Sequence, residues 1–222
     1  NGTHAVGQNR EKWLLNPGAT SALHLEMFCF LGKLMGIAIR SKQYLALHLP
    51  SIIWKLLVQD PPLMEDLEAI DLHQVQSLHD MRHIDSQGVD RASFSDIFYE
   101  TFTTVSSDQR EVELVPGGSE MEVDFDSRLL RCTLVERYRL HEFDQQAGAV
   151  RRGLGSVVPP CLLALHCWHE LEVMVCGRAT MDLALLRSMT AYSSCEESDA
   201  HIQFFWEVME GFSDEERSVF LR

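Results

Sequence analysis

The stretch SALHLEMFCFLGKLMGIAIR, residues 21–40, decides the fold class of this chain. Its apolar side chains recur every three or four residues, which is the period of an amphipathic α-helix. Asn16-Pro17-Gly18 just before it is typical of a turn, and Ser21 is a suitable N-cap. The stretch therefore predicts a long and strongly apolar helix, buried in a core.

Two glycines in this stretch, Gly32 and Gly36, lie four residues apart on one face of the predicted helix. Without side chains they let another helix approach closely. The same spacing also occurs where membrane helices pair, so two interpretations are open. Lys33 and Arg40 interrupt the apolar run and favour tight packing inside a soluble protein.

Helical periods also dominate the remainder of the chain, with prolines such as Pro61 and Pro62 ending one element. Further helices are predicted at 49–58, 63–67, 71–84 and 126–155, from Pro159 onward, and at 171–175, 183–189 and 202–209.

The period changes only in the middle of the chain. Val112 and Leu114 alternate with acids, and so do the apolar residues of 121–125. Pro116-Gly117-Gly118-Ser119 lies between these two runs, so the pattern predicts a β-hairpin with one wet face. Residues 85–110 have no clear period and receive no assignment. The expected fold class is α+β, mostly α-helical, with a larger helical subdomain and a small subdomain containing the hairpin.

Composition excludes several classes of protein. The 222 residues carry a formal net charge of −14, which argues against binding nucleic acid or an anionic membrane surface. The longest apolar run is broken by Lys33 and is shorter than the roughly 20 residues that span a bilayer, so we expect no membrane insertion. Phosphate-loop, dinucleotide-binding, nucleophile-elbow and zinc-protease motifs are absent from the sequence.

The 6 cysteines are too few for a disulfide scaffold and include no Cys-x-x-Cys pair. We expect them to be reduced, which places the protein in the cytoplasm, with the nucleus as a further location. Cys161, His166, Cys167, His169 and Cys176 form the densest cluster of possible metal ligands. Their irregular spacing inside an apolar stretch favours buried inert thiols over a zinc site or a Cys/His nucleophile. We therefore predict no metal and no cofactor.

The first residue is not Met, and Ser213 with Glu216 forms a capping box before a final apolar run. No Gly or Pro closes that predicted helix. We expect the sequence to belong to a longer polypeptide.

Eight short motifs appear in this chain in the order of one known family. They are FCFLGKLMGIAI at 28–39, PLMEDL at 62–67, QSL at 76–78, PGGS at 116–119, YRLHE at 138–142, LEVMVCG at 171–177, FWE at 205–207 and DEER at 214–217. Together they resemble the first lobe of the HECT domain of ubiquitin ligases, and the sequence is most similar to the giant HERC-type members.

The resemblance implies that this chain is a first lobe made of two subdomains, and that a second lobe contains the catalytic cysteine. It predicts a larger helical subdomain, 1–70 and 131–222, and a small subdomain, 71–130, that docks a ubiquitin-conjugating enzyme. In the family, ubiquitin passes as a thioester to a second-lobe cysteine that follows Thr, and then to lysines of protein substrates. None of the cysteines here follows Thr, so we expect that cysteine beyond Arg222. The segment alone is expected to contain no catalytic residue and to be inactive.

The family's docking groove takes an aromatic residue of the conjugating enzyme. The matching positions here are Gln74, Leu78, Met81, Ile84 and Leu130. Gln74 departs from the usual apolar residue, and Leu130 from the usual aromatic. Two further interpretations are open: the helical stripe of Leu78 and Met81 covers the core, as most such stripes do, or the lobe is a non-catalytic scaffold. An acidic helical adaptor outside the ubiquitin system also fits the composition, but it leaves the ordered motifs unexplained.

Overall fold

A computed structural model describes residues 11–177, 182–213, 216–217 and 220 of this chain. It divides into two compact units, Asn1–Val175 and Cys176–Arg222. The predicted small subdomain at 71–130 lies wholly inside the first unit, and its separation from the larger helical subdomain stays a prediction.

Helices dominate both units, so the α+β class with mostly helical content is confirmed. The first unit contains α1 Ala22–Ser41, α2 Ser51–Val58, α3 Met64–Ile70, α4 Leu72–Arg82, α5 Arg91–Ile97, β1 Thr103–Val105, β2 Glu111–Glu113, α6 Arg128–His141, α7 Asp144–Gly155, α8 Pro160–Leu163 and α9 Trp168–Cys176, whose last residue begins the second unit. The second unit contains α10 Leu183–Met189 and α11 Ala200–Gly211.

Backbone contact between α1 and α7 organises the first unit. A Cβ at Gly32 would lie 1.9 Å from the carbonyl oxygen of Val150, and one at Gly153 would lie 1.8 Å from that of Cys29. The predicted tight glycine packing is therefore confirmed for Gly32. The predicted burial of the whole helix is wrong, because the face of α1 opposite α7 is exposed.

Length and composition alone make α1 a candidate for crossing a membrane, and it is the one such helix in the described part of the chain. Core helices of soluble proteins pass the same criterion. Its glycine face packs closely against α7, and 22% of its apolar window is buried.

A buried carboxylate joins α2 to α3. Asp66 accepts hydrogen bonds from the Ser51 hydroxyl at 2.6 Å, the Lys55 ammonium at 2.6 Å and the Leu63 backbone N–H at 2.8 Å. Burial on its own would raise the pKa of Asp66, but these donors outweigh it and hold that pKa below the ordinary 3.8. The carboxylate is therefore ionised at neutral pH and fixes the angle between the two short helices.

The strand pairing differs from the predicted hairpin. β2 pairs antiparallel with β1, with Thr104 opposite Val112, whereas 121–125 contributes only one isolated bridge, Glu122 to Thr101. Pro116-Gly117-Gly118-Ser119 is not the hairpin turn. A Cβ on Gly118 would lie 2.4 Å from the carbonyl oxygen of Phe102. The glycine therefore lets this loop pack directly against the residue that precedes β1.

The long helix expected at 126–155 is two helices, α6 and α7. The break falls at Glu142 and Phe143, and Phe143 is fully buried. Glu142 accepts hydrogen bonds from the Ser107 backbone N–H at 3.0 Å and from its hydroxyl at 2.5 Å. These contacts come from a distant part of the chain, which explains why local periodicity does not reveal the break.

Candidate partner-binding site

Three of the five predicted docking residues lie in a hydrophobic core. Leu78 is 1% exposed, Met81 5% and Ile84 2%, in one cluster with Phe94, Phe102, Val123, Cys132 and Val135. A partner cannot reach these side chains unless the cluster opens. In this structure the three side chains belong to a core stripe, as the open alternative has it, and partner contact at these positions stays a prediction.

Polar contacts fix α4 against α6 around this core. Arg82 donates to both carboxylate oxygens of Glu136, at 2.6 and 2.5 Å. The hydrogen bond from Glu136 raises the pKa of Arg82 above its ordinary value. A bidentate pair of this kind sets both distance and orientation, so α4 has little freedom to swing outward.

Two buried arginines of α6 attach β1 to the same helix through the carbonyls of Thr103 and Val105. The Arg131 guanidinium donates to the carbonyl of Thr101 at 2.8 Å and to Glu100 at 2.5 Å. Arg139 reaches Asp71, just before α4, at 2.9 Å. Each guanidinium therefore serves backbone and carboxylate acceptors in the fold, which favours a structural role for both.

The other two predicted docking residues reach the surface. Gln74 is half-buried in the first turn of α4. Its backbone N–H donates to the carboxylate of Asp71, the N-cap residue, at 3.0 Å. Leu130 is 56% exposed in the first turn of α6, beside Leu129 at 48%. Contact with a partner stays a prediction for Gln74 and Leu130.

The second unit has exposed apolar side chains that the sequence argument missed. On α10, Leu185 is 56% exposed and Met189 76%; on α11, Phe204 is 67% exposed and Val208 37%. Each pair is spaced i, i+4, so each lies on one face of its helix. That spacing is visible in the sequence, but it predicts equally well a face that packs into a core.

The inner side of the second unit is well fixed. Trp206 is 3% exposed, and its indole N–H donates to the Tyr192 hydroxyl at 2.9 Å. Arg187 pairs with Glu197 at 2.6 Å, and its guanidinium lies 5.6 Å from the centre of the Trp206 ring. The exposed pairs on α10 and α11 are thus supported by a defined interior.

The described thiols include one that is buried and two that are exposed. None of the six cysteines forms a disulfide. Burial raises the pKa of the Cys132 thiol, which keeps it protonated and poorly nucleophilic. Cys161 and Cys167 are exposed, and among the described residues no group of three or more His, Cys, Asp or Glu side chains could hold a metal ion.

Comparison with known proteins identifies the family. The family described as HECT-domain (ubiquitin-transferase) matches residues 4–222. The chain belongs to the HECT family. This confirms the resemblance that the ordered motifs indicated.

The curated relatives are HECT-type ligases of very different length. Over the whole chain the sequence is 40% identical to the human E3 ubiquitin-protein ligase HERC2, of which it spans 4%. It is 30% identical, over 98% of the chain, to the human probable E3 ubiquitin-protein ligase HECTD4 and spans 6% of it. Over 90% of the chain it is 27% identical to the E3 ubiquitin-protein ligase pub1 of Schizosaccharomyces pombe, of which it spans 25%. The chain therefore corresponds to a small part of each relative.

Proposed function

We propose that this chain docks a ubiquitin-conjugating enzyme and positions its ubiquitin thioester for transfer to a cysteine outside these residues. Ubiquitin then passes to lysines of protein substrates. Membership of the HECT family and the E3 ubiquitin-protein ligase relatives support this proposal. The cysteines without disulfides support the cytoplasm as the proposed location.

The state of the thiols in this chain supports an acceptor elsewhere. Cys132 is fully buried, with its sulfur 3.9 Å from the carbonyl oxygen of Leu78. Covalent catalysis needs an accessible thiolate with an activating partner. Cys161 and Cys167 are exposed, but neither follows Thr as the family's acceptor does.

Docking contributes to catalysis even without a reacting side chain. A thioester is already activated, so the reaction mainly requires that it meet a second thiolate in good geometry. Holding two reactants in place can supply roughly 7–11 kcal/mol of a barrier. Binding the donor enzyme is therefore a sufficient role for these residues.

The observation that supports the position of the dock is the exposure of two apolar pairs in the second unit, one on α10 and one on α11. Leu185 and Met189 on α10, with Phe204 and Val208 on α11, expose large side chains above a packed interior. Exposed apolar patches with polar surroundings mark protein-binding surfaces. We place the conjugating enzyme on these four residues, in place of the buried stripe of α4.

A panel of purified ubiquitin-conjugating enzymes, titrated into the chain by isothermal titration calorimetry, tests the proposal. We expect at least one to bind, and Phe204→Asp or Met189→Asp to weaken it by at least roughly tenfold, because a carboxylate in an apolar contact is costly. Leu165→Asp is the matched control. Leu165 is 75% exposed and lies in the first unit, so this variant should bind like the wild type.

Other outcomes separate the remaining interpretations. Binding that is lost in Leu130→Asp and kept in Phe204→Asp would move the dock to α6. If every conjugating enzyme fails to bind, the chain is a scaffold and the proposal is wrong. Circular dichroism of each variant must show an unchanged helical spectrum for either conclusion to stand.

A further inference from the structure

Lysine is confined to the first quarter of this chain. The sequence has 15 arginines but only 4 lysines, which are Lys12, Lys33, Lys42 and Lys55. Residues 56–222 contain 13 of the arginines and no lysine. A general preference for Arg would scatter the lysines along the chain. Their restriction to one end defines a lysine-free part, residues 56–222, which includes the whole second unit.

The geometry of the guanidinium explains only some of these arginines. Arg82, Arg131 and Arg139 each donate to two or more acceptor atoms from a planar fork that Lys lacks. Arg137 on α6 and Arg152 on α7 are exposed, and neither side chain makes a hydrogen bond or ion pair with another described residue. Arg and Lys have similar helix propensities, so local structure does not select Arg at these two positions.

The two side chains differ in their reaction with a thioester. A neutral lysine amine attacks the thioester carbonyl carbon of ubiquitin. The new C–N bond forms, the C–S bond breaks, the sulfur leaves as the thiolate of the conjugating enzyme, and the amine proton passes to water. With an ordinary pKa near 10.4, roughly 0.1% of lysine is neutral at pH 7.4. A guanidinium stays protonated and does not attack.

Docking makes this side reaction faster. A group held near a bound thioester reacts as though it were present at roughly millimolar concentration or above. A lysine near the docked enzyme would therefore compete with the acceptor cysteine for ubiquitin, whereas an arginine supplies the same charge without the amine. We propose that the lysine-free part prevents a docked ubiquitin thioester from reacting with the chain itself. This inference rests on the proposed function.

Lys55, the lysine that borders the lysine-free part in the sequence, is itself withheld from reaction. Its side chain is 13% exposed, and its ammonium donates to the buried carboxylate of Asp66 at 2.6 Å. An attacking amine would have to lose a proton and leave this ion pair. Ubiquitin that reaches a native lysine of the chain should therefore map to Lys12, Lys33 or Lys42.

Lysines added to the lysine-free part test the inference. The donor is a conjugating enzyme that binds the chain, loaded with ubiquitin as a thioester and then separated from the activating enzyme and ATP. In the second unit, Glu207→Lys places an amine on α11 beside Val208 and one turn from Phe204. Glu207→Arg is its matched control, because it makes the same change in charge without a nucleophile.

In the first unit, the double variant Arg137→Lys with Arg152→Lys keeps the net charge, so the wild type is its matched control. We expect Glu207→Lys to discharge the thioester at least roughly threefold faster than Glu207→Arg, with ubiquitin joined to residue 207 by a bond that dithiothreitol does not cleave. The double variant should gain ubiquitin at residues 137 and 152, which tryptic peptide mapping locates. All variants should keep the helical circular dichroism spectrum of the wild type.

Calorimetry measures binding separately, so the two possible failures are distinguishable. If no conjugating enzyme binds the wild type, the proposed function is wrong. If the enzyme binds both lysine variants as it binds their controls, and neither variant gains a dithiothreitol-resistant adduct, this inference is wrong and the proposed function stands. A binding enzyme whose thioester is not discharged by free lysine also overturns the inference, because such a donor needs no protection.

Discussion

Leu78 shows how one side chain decides between two interpretations of the same helix. It is 1% exposed and packs in the cluster that includes Met81 and Ile84. Helical spacing in the sequence correctly placed it on an apolar stripe. The same spacing could not say whether that stripe faces a core or a partner, because burial depends on α6 and on residues more than fifty positions away.

Truncating Leu78 should therefore cost stability. We expect Leu78→Ala to lower the free energy of unfolding of the first unit by about 2–5 kcal/mol, because the buried side chain leaves a cavity. Leu129→Ala, at a site 48% exposed, should change it by about 0.5 kcal/mol or less. Urea denaturation followed by circular dichroism measures both, and equal losses would show that Leu78 is not a core residue.

The stability of the fold at low pH depends in part on the carboxylate of Asp66. Its pKa is held below 3.8 in the folded protein, so it stabilises the fold at any pH above 3.8. That contribution is lost as the pH falls through the lowered pKa that Asp66 has in the folded protein, because the carboxylate is then protonated.

We expect Asp66→Asn to be less stable than the wild type at pH 7, and the difference to shrink as the pH falls from about 5 to about 3. Thermal melts across this range measure it. Asp96→Asn, at an exposed site, is the control and should follow the wild-type curve. A constant difference at every pH would mean that the ionised form of Asp66 is not what stabilises the junction of α2 and α3.

At the scale of elements, glycine positions test the contact of α1 with α7. Gly153→Ala should lose about 1–3 kcal/mol or more of stability, because its Cβ would lie 1.8 Å from the Cys29 carbonyl oxygen. Gly148 lies on the same helix and a Cβ there meets nothing within 4 Å. Gly148→Ala should be neutral or gain up to about 1 kcal/mol from helix propensity. If both variants behave alike in urea denaturation, the close helix contact is wrong.

The elements that the sequence predicted well are those specified locally. Ser21 caps α1, Pro160 opens α8, and the periods of α2, α10 and α11 match their observed spans. The strand pairing was missed because β1 lies in 85–110, where the sequence has no period, and because its turn uses Gln109 at φ 66° with no glycine to mark it. Pairing partners across such a turn are set by the tertiary core.

At the scale of the whole molecule, the ordered motifs were sufficient to identify the family. The division of the chain after Val175 was not predicted, because no run of linker residues marks it in the sequence. In the sequence, the apolar pairs on α10 and α11 have the same spacing as core stripes. Only the fold shows which side of each helix is packed. The sequence argument therefore placed no docking residue on α10 or α11.

The account also predicts that this chain accepts no ubiquitin. Incubated with ubiquitin, ATP, the activating enzyme and a conjugating enzyme, it should show no adduct that dithiothreitol removes on a non-reducing gel. The reason is that Cys132 is buried with a raised thiol pKa, and neither exposed thiol, Cys161 or Cys167, follows Thr as the family's acceptor does. A labile adduct that disappears in Cys161→Ser or Cys167→Ser would contradict this and place an acceptor inside the chain.

The central claim is that the second unit holds the donor enzyme. Calorimetric titration of the conjugating enzyme that binds best, into the wild type and Phe204→Asp side by side, tests it most directly. The account predicts a dissociation constant at least roughly tenfold higher for the variant, with an unchanged helical spectrum. Equal affinity for the two proteins would contradict it.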